Sequence, residues 1–306
     1  MDIGSSSIKI VRLKAKKVVL AAFMDIPEGG GEDEDHFVRT LSGFVKGLRI
    51  EGMSACIQIP AGEAFIRTIN FPPMPQAELR EALRWEVKRC IPFPMEESVY
   101  DYVSVDMPEG IAVTFASAEK KVIEKHIEPI KASGLKIVAV DIGPLCLLRS
   151  VRPKTPGNAV ILDIGAFYTE ISIVKAGVLK ITRSIEMGGG FIKKHLQEGG
   201  LTKEEAEGVL FGGTEEQLIG ALGEFLKETS RSMDYYRVNF KEKNFSEIVL
   251  TGGVSINPAV KGCFSGTFNM PVSVPDPFEG FTMEDESIRA LGPRFSVSLG
   301  LAGRQA

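Results

Sequence analysis

The sequence predicts an α/β protein of two related halves, residues 1–156 and 157–306, with a small α+β domain inserted into the first. Apolar strand-like runs alternate with helix-like runs along all 306 residues, which is the pattern of α/β folds. An Asp-x-Gly sequence followed by small or hydroxyl residues occurs once in each half, at Asp2 and at Asp163. Residues 63–135 have no counterpart in the second half. These three observations predict a duplicated fold with one insertion.

The elements of the first half follow from periodicity and from turn residues. Residues 8–13 and 18–26 are predicted strands separated by a polar Lys turn, 29–35 is a Gly-rich acidic loop, 36–48 a helix and 55–59 a strand. Inside the insertion we expect strands at 65–71, 100–105 and 111–116 and helices at 78–90 and 119–132. A strand at 137–141 returns the chain to the first half.

The second half repeats this order. Strands are predicted at 159–164, 170–174, 178–184 and 248–250, and a short helix at 191–197. Thr202 and Thr214 are each followed three residues later by Glu or Gln, the capping box that begins a helix. Asn257 is expected to cap another helix that opens with Pro258. We place the first domain at 1–62 plus 136–156, the inserted domain at 63–135, the second domain at 157–200 plus 246–306, and a helical subdomain at 201–245.

Composition excludes several classes of protein. A net charge of −4, without a dense Lys/Arg cluster outside residues 14–17, gives no support for nucleic-acid binding. The longest apolar run, residues 18–24, is far shorter than the about 20 residues needed to cross a bilayer, so no direct membrane span is expected. The four cysteines show no CxxC spacing, and no signal peptide opens the chain, so we expect a cytoplasmic protein with reduced thiols.

The two Asp-x-Gly sequences supply the groups that nucleotide phosphates need. Several negative charges cannot be buried unpaired, so they require close backbone N–H donors, a positive charge and a metal ion. In the first half these groups come from Asp2, Gly4, Ser5, Ser6 and Lys9, and in the second half from Asp163, Gly165 and Thr169. We expect Asp2 and Asp163 to hold magnesium through water. A tight hairpin turn would use the same residues, but two copies in matching contexts favour phosphate binding.

Two further glycine segments suit a nucleotide. Gly252, Gly253 and Ser255 lie between a strand and a helix, where glycines can lie flat against a base or ribose; an ordinary strand-to-helix loop has the same composition. Residues 188–190 are three glycines before a helix, which suits an anion-binding helix N-terminus, a hinge or a flexible loop.

In this order, the two phosphate loops, the glycine segment and the Gly-Gly loop resemble the actin-like ATPase superfamily of ribonuclease H-like fold. The inserted α+β domain is similar to that of the cell-division protein FtsA and of the PilM family of type IV pilus assembly proteins. The PilM family has the nearer pattern, carried by residues 71–75 (Phe-Pro-Pro-Met-Pro), 82–86 (Ala-Leu-Arg-Trp-Glu), 91–94 (Ile-Pro-Phe-Pro), 291–293 (Leu-Gly-Pro) and 298–302 (Ser-Leu-Gly-Leu-Ala). This resemblance covers nearly the whole chain.

The resemblance implies a cytoplasmic protein that binds ATP and Mg2+. Its expected partner is the cytoplasmic tail of a PilN-like inner-membrane protein, which would hold it at that membrane and link it to other pilus platform or motor components. It assigns Gly189 to the connecting segment and Gly252, Gly253 and Ser255 to the adenosine contacts.

The sequence also departs from the superfamily pattern. Glu207 matches a glutamate on the adenine-facing helix, but Leu210 stands where a lysine is often found. The first strand normally has apolar residues before its Asp, whereas only Met1 precedes Asp2 here, so either the start or the central strand is expected to be truncated.

Other functions remain as alternatives. An FtsA-like division protein usually ends in an amphipathic helix, and residues 303–306 do not offer one. A type II secretion platform domain is similar in fold but is followed by a transmembrane helix, which this sequence does not contain. A small-molecule kinase needs a substrate pocket with a carboxylate base, and none is readable. We expect at most slow ATP hydrolysis, with Asp141 as the candidate for orienting water; Asp141 also suits a helix cap before Gly143.

Trp85 of the inserted domain has two possible interpretations. An apolar stripe on the helix 78–90 is expected to face the domain's own core; it consists of Leu79, Ala82, Leu83, Val87 and Cys90. Trp85 falls off this stripe. It either packs under the turn 91–94 or lines, with Phe93, a groove for a short apolar peptide.

Overall fold

The structure is a computed structural model that describes residues 1–26 and 34–304. Up to residue 156 the elements are β1 (Asp2–Ile3), β2 (Ser7–Lys14), β3 (Lys17–Asp25), α1 (Glu34–Gly47), β4 (Ser54–Ile59), β5 (Phe65–Phe71), α2 (Gln76–Cys90), β6 (Ser98–Met107), β7 (Gly110–Glu119), α3 (Lys120–Ala132), β8 (Lys136–Ile142) and α4 (Gly143–Ser150). The second half contains β9 (Asn158–Ile164), β10 (Thr169–Lys175), β11 (Val178–Ile185), α5 (Gly189–Glu198), α6 (Lys203–Gly212), α7 (Glu215–Phe240), β12 (Glu247–Thr251), α8 (Pro258–Thr267), β13 (Val272–Ser273), β14 (Thr282–Met283) and α9 (Ser296–Ala302). Short 3-10 segments lie at Ala61–Glu63, Met95–Glu97, Gly253–Ile256 and Glu286–Phe295.

The strands of the two halves follow the same order, although β4 and β8 form a sheet separate from that of β1, β2 and β3. In the second half the strand order is β11-β10-β9-β12-β13, with β9 antiparallel to β10 and parallel to β12. In the first half β3, β2 and β1 are antiparallel neighbours, and β4 pairs in parallel with β8. The α-ammonium of Met1 donates a hydrogen bond of 2.7 Å to the carbonyl of Cys56, which places β1 beside β4. The duplication predicted from the sequence is therefore confirmed in the strand order.

The predicted helix starts of the second half are confirmed. Thr202 and Thr214 each form the capping box with the residue three positions later, so α6 and α7 begin where the sequence predicted. The side chain of Asn257 accepts from the N–H of Ala259 and caps α8. These helices and α5 cover one face of the second sheet, where Phe225, Phe264 and the apolar side chains of β9 and β12 form a buried core.

Helices α4 and α9 cross between the two halves. Leu301 of α9 packs into the core on the other face of the second sheet, while Leu299 packs with Val11 of β2. At the crossing, a Cβ on Gly300 would lie 2.0 Å from the carbonyl oxygen of Cys146. Only glycine permits this approach, because real Cβ atoms do not come so close to a backbone oxygen.

The inserted domain is a three-stranded sheet covered by one helix. The strand order is β5-β7-β6, and Leu79, Leu83 and Val87 of α2 are buried against it, as the stripe predicted. On the opposite side, the hydroxyl of Thr68 in β5 donates a hydrogen bond to the carbonyl of Leu179 in β11. The inserted sheet thus contacts the second half directly. The domain limits given above stay a prediction.

Two further predictions concern a membrane span and the acidic loop at 29–35. Among residues 1–26 and 34–304, no helix combines the length and the hydropathy needed to cross a membrane. The predicted acidic loop at 29–35 lies largely outside the described residues, as do residues 305–306, and α1 already begins at Glu34.

Candidate functional site

The first Asp-x-Gly sequence forms the turn between β1 and β2. The N–H of Gly4 donates to the carbonyl of Ser7 at 3.0 Å and closes the turn. The buried carboxylate of Asp2 accepts a hydrogen bond of 3.0 Å from Gln58, and the ammonium of Lys9 lies 3.4 Å from its other oxygen. A Cβ on Gly4 would lie 2.8 Å from that ammonium, so the glycine leaves room for Lys9. One anion and one cation are therefore held at the turn.

The hydroxyl residues of the first turn lie at the surface. The side chain of Ser5 is exposed and that of Ser6 is partly exposed, while the carbonyl of Ser6 accepts from the N–H of Ile26. This backbone bond fixes the turn against the end of β3. The serine hydroxyls thus lie where a ligand can reach them.

The second Asp-x-Gly sequence forms the equivalent turn between β9 and β10. Here too the glycine N–H closes the turn, because Gly165 donates to the carbonyl of Tyr168 at 3.0 Å. Thr169 is fully buried, and its hydroxyl donates to the carbonyl of Met187 at 2.7 Å. That hydroxyl therefore fixes the following glycine segment from inside the protein. Its predicted contact with phosphate stays a prediction.

The charged groups of the first turn, Asp2 and Lys9, are close enough to Asp163 of the second turn to shift its pKa. The pKa of Asp163 is raised to about 7, chiefly by burial and also by the nearby carboxylate of Asp2, while the ammonium of Lys9 acts in the opposite direction. Burial also raises the pKa of Glu170, the cross-strand neighbour of Asp163, to about 7; a hydrogen bond from Thr182 opposes this shift, and the charge of Asp163 adds to it. Asp163 therefore interacts with the carboxylates of Asp2 and Glu170 and with one ammonium, that of Lys9.

A divalent cation fits this environment. Positive charge placed between Asp2 and Asp163 would relieve the repulsion that raises the pKa of Asp163. Within the part of the chain that the structure describes, no three His, Cys, Asp or Glu side chains are grouped to form a direct metal cage. Two carboxylates therefore suit magnesium that keeps most of its water, as it does beside phosphates.

The three-glycine segment is tied to the second turn. Gly189 begins α5, and its N–H donates to the carbonyl of Gly165 at 2.9 Å. The N–H of Gly190 donates to Ala166 at 2.7 Å, and a Cβ on Gly188 would lie 2.5 Å from Ala166. A helix begins at Gly189, and its hydrogen bonds to the turn rule out the flexible-loop interpretation. Anion binding at this helix N-terminus and a hinge both stay predictions. These N–H groups hold the turn itself.

The Gly-Gly loop lies directly on the second turn. Gly252 has a φ of 86°, and a Cβ there would lie 2.4 Å from the carbonyl of Ile164 and 2.6 Å from the carboxylate of Asp163. The buried hydroxyl of Ser255 donates to the carbonyl of Gly252 at 2.8 Å and fixes the loop. A side chain at Gly252 would therefore displace Asp163, which explains the glycine.

Arg294 links this loop to the first half. Its side chain lies 3.6 Å from the position of a Cβ on Gly253, and its guanidinium lies over the ring of Phe23 at 4.5 Å. The guanidinium also donates to Asp25 at the end of β3, at 3.0 Å. Sequence reasoning missed Arg294, although it directly follows the Gly-Pro of the family-like stretch 291–293.

Two other residues of the site were also missed. Gln58, which holds Asp2, is the one polar residue of the apolar run 55–59, and such a residue in a buried strand is a usable signal. Glu170 follows Thr169 directly, and only the pairing of β9 with β10 places it beside Asp163.

The adenine-facing residue lies at the surface. Glu207 is exposed on α6, so its contact with a base stays a prediction. Leu210 is buried, and its side chain lies 3.3 Å from the position of a Cβ on Gly189. A lysine at position 210 would have to leave this packed position, which gives a physical reason for the departure from the superfamily pattern.

Asp141 lies beside the crossing of α4 and α9. One carboxylate oxygen accepts from Arg149 at 2.6 Å and forms an ion pair with Arg304 at 3.0 Å, and the other accepts from the N–H of Ile142 at 2.8 Å. The helix-cap interpretation is wrong, because Ile142 is the N-cap of α4. The geometry favours a structural role at the crossing, and the catalytic role stays a prediction.

The predicted partner residues lie on the inserted domain, away from both turns. Trp85 is 71% exposed, so the interpretation that it packs under the turn 91–94 is wrong. Phe93 is partly buried. The peptide-groove interpretation remains, with Trp85 available for contact.

The chain is similar to several known proteins in sequence and in structure. A family model described as type IV pilus assembly protein PilM matches residues 1–306. Cell division protein FtsA of Neisseria meningitidis serogroup B is 25% identical over 284 residues, which are 74% of this chain and 66% of that relative's length. A solved structure described as the PilM-PilN type IV pilus biogenesis complex is 24% identical, with a TM-score of 0.83 over 98% of this chain and 96% of that one. The ethanolamine utilization protein EutJ from Carboxydothermus hydrogenoformans is 15% identical, with a TM-score of 0.63 over 98% and 87% of the two chains.

These similarities agree with the geometry described above. The matching sheets, the paired turns and the similarity to solved structures confirm the duplicated actin-like fold with an inserted α+β domain. The family model extends over every residue of the sequence, including the proline-rich stretches of the inserted domain. The chain therefore belongs to the PilM family of type IV pilus assembly proteins.

Proposed function

We propose that this protein binds ATP with magnesium between its two halves and serves as a cytoplasmic assembly protein of the type IV pilus platform. The cytoplasmic tail of a PilN-like inner-membrane protein holds it at that membrane, where it contacts other platform or motor components. One observation carries the nucleotide part: two matching Asp-x-Gly turns face each other, with the glycine loop of Gly252 directly against Asp163.

Each part of the nucleotide has a matching group. Lys9 offsets phosphate charge, and Ser5 and Ser6 lie where their hydroxyls can donate to phosphate oxygens. Asp2 and Asp163 hold the magnesium ion through water, and the ion supplies charge neutralisation for the phosphates. The loop of Gly252 and Gly253 lies against Asp163, so an adenosine bound beside the phosphates would contact this loop.

Titration calorimetry of the full chain with ATP tests this function. Binding is expected with magnesium and is expected to weaken strongly when a chelator removes the ion, because the facing carboxylates then repel the phosphates. An absence of ATP binding in the presence of magnesium would refute the nucleotide part of the proposal.

We expect hydrolysis to be slow. The carboxylate predicted to orient water, that of Asp141, is already held by Arg149 and Arg304. ATP then acts mainly as a ligand that stabilises the closed arrangement of the halves through its binding free energy. Steady-state release of phosphate is expected below about 1 per second, the low end for typical enzymes. A faster rate would show a dedicated catalytic group and contradict this expectation.

The partner part rests on a different observation. The similar solved structure is described as a PilM-PilN complex, which supports a PilN-like tail as the partner. On the inserted domain, Trp85 is 71% exposed although α2 buries its own apolar stripe. An exposed aromatic side chain on a rigid helix is a usual anchor for a bound peptide.

Trp85→Ala is expected to weaken binding of a PilN-like tail peptide by at least about 2 kcal/mol, the usual threshold of a hot spot. Because the side chain lies outside the domain core, unfolding temperature and ATP affinity should not change. Trp85 is also the single tryptophan of the chain, so its fluorescence should shift to shorter wavelength when the peptide covers it.

Tyr235→Ala provides the control, because Tyr235 is 58% exposed on α7 of the other half. This variant should bind the peptide like the wild type. Unchanged peptide affinity in Trp85→Ala, with no fluorescence shift in the wild type, would remove Trp85 from the partner surface and leave ATP binding untouched.

A further inference from the structure

The carboxyl end of α6 is tied to the glycine loop, residues 252–255, of the proposed nucleotide site. The side-chain amide of Asn257, which follows that loop, donates to the carbonyls of Leu210 at 3.1 Å and Gly213 at 3.2 Å. The other end of the loop lies against Asp163. A nucleotide that has its phosphates at the turns and lies along this loop would therefore bring its base to the end of α6.

The polar side chains of the loop region already have partners inside the protein. The hydroxyl of Thr251 shares a hydrogen bond of 2.6 Å with that of Ser296, and the hydroxyl of Ser255 donates to the loop backbone at 2.8 Å. Asn257 caps α8 with its side-chain oxygen. Thr251, Ser255 and Asn257 are all fully or almost fully buried. These three side chains are thus not available to bind the edge of a base.

The two other side chains beside the loop cannot identify a base either. Arg294 lies next to Gly253, but its guanidinium is held by Asp25 at 3.0 Å and lies over the ring of Phe23. Leu210 is apolar and buried. Selection between bases requires positioned groups that hydrogen-bond to one base and reject the other. The side chains around this loop do not supply such groups.

Phe211 offers a contact of another kind. It directly follows Leu210 in the last turn of α6, is 48% exposed and lies outside the buried core of the second half. Glu207 is exposed one helical turn earlier, on the same face. A Cβ on Gly208 or on Gly212 would meet no atom within 4 Å, so the helix surface beside the ring is open. A flat ligand can therefore reach this ring.

We propose, on the basis of the proposed function, that Phe211 stacks on the base of the bound nucleotide and that the site binds ATP and GTP about equally. Every base has an aromatic face, so stacking on a ring tolerates a change of base. The carboxylate of Glu207 accepts hydrogen bonds, and the ribose hydroxyls that can donate to it are the same in both nucleotides. The ligand class is thus the purine nucleoside triphosphates.

Titration calorimetry of the full chain with ATP and with GTP, each with magnesium, tests the tolerance for the base. The two dissociation constants are expected to agree within about tenfold, because both purines present a similar face to the ring. A larger preference for either nucleotide would show that a polar group reads the base, and would overturn the inference.

Three substitutions of Phe211 test the stacking contact. Phe211→Ala is expected to weaken the binding of both nucleotides at least about fivefold, the lower end for loss of an aromatic stacking partner. Phe211→Leu keeps an apolar side chain without a ring and should lose as much affinity, whereas Phe211→Tyr keeps the ring and should bind like the wild type. Because Phe211 lies outside the core, all three variants should unfold near the wild-type temperature without nucleotide.

Tyr235→Ala is the control for these variants, because it removes an exposed ring from α7 and should leave both affinities unchanged. Wild-type affinity in Phe211→Ala, or in Phe211→Leu, would overturn the stacking contact while ATP binding itself stands. A wild-type protein that binds neither ATP nor GTP in the presence of magnesium would refute the proposed function, and this inference with it.

Discussion

Asp163→Ala is expected to abolish measurable binding of ATP with magnesium. The substitution removes a carboxylate that faces Asp2 across the site and touches the glycine loop of Gly252. Losing a charged group that holds a metal ion in a desolvated site costs several kcal/mol, on the order of a thousandfold in affinity. Calorimetry of the variant and the wild type at the same magnesium concentration measures the loss.

The fold of this variant should be intact. The pKa of Asp163 is raised from 3.8 to about 7, so the folded protein disfavours the charged form relative to the unfolded chain. For an acid with a raised pKa, stability is lost as pH rises from the unfolded value to the folded one. Without nucleotide at pH 8, Asp163→Ala is therefore expected to unfold at no lower temperature than the wild type.

Asp106→Ala is a suitable control, because Asp106 is exposed on β6 of the inserted domain. This variant should bind ATP like the wild type. If Asp163→Ala bound ATP within about tenfold of the wild type, the phosphates would not lie at the second turn, and the pairing of the two turns would need another explanation.

Gly300→Ala is expected to lower the free energy of unfolding by at least about 3 kcal/mol. The added Cβ would lie 2.0 Å from the carbonyl oxygen and 2.6 Å from the carbonyl carbon of Cys146. Overpacking a core costs about 1–3 kcal/mol when side chains can adjust. Here the obstacle is the backbone of α4, so the helices must separate instead. Chemical denaturation measures the difference.

A second glycine serves as the reference for this measurement. Gly223 lies within α7, and a Cβ there meets no atom within 4 Å. Gly223→Ala should raise stability by up to about 1 kcal/mol, because alanine favours the helix. Similar effects of both substitutions would mean that α4 and α9 do not approach as closely as described.

Periodic or capped elements could be predicted from the sequence. The strand Phe65–Phe71 was predicted at its observed limits, and α6 and α7 begin at the predicted capping boxes. Helices α4 and α9 gave no comparable signal. Six of the seven residues of α9, Ser296 to Leu301, are buried, so the helix has no polar face to reveal its period. Strands β13 and β14 have two residues each, too few for any alternation.

The candidate site was predictable where backbone geometry decides the residue. Gly252 is fixed by a close approach to the backbone that leaves no space for a Cβ, and its motif shows it. The hydroxyl of Thr169 was assigned to a ligand from its motif, but it bonds to Met187. The arginines that hold Asp141 lie far apart in the chain, at 149 and 304. Partners of this kind depend on tertiary contacts, which a local motif does not contain.

The hydrogen bond between Thr68 and the carbonyl of Leu179 limits how the molecule can move. Leu179 belongs to the sheet that also carries Asp163, whereas Thr68 belongs to the domain that carries Trp85. If the halves rotate apart about the crossing of α4 and α9, this bond must break, or the inserted domain must travel with the second half. A rotation that admits or releases a nucleotide would then move Trp85 relative to β1–β4. Nucleotide binding between the halves would thereby be coupled to the position of the outer surface of α2.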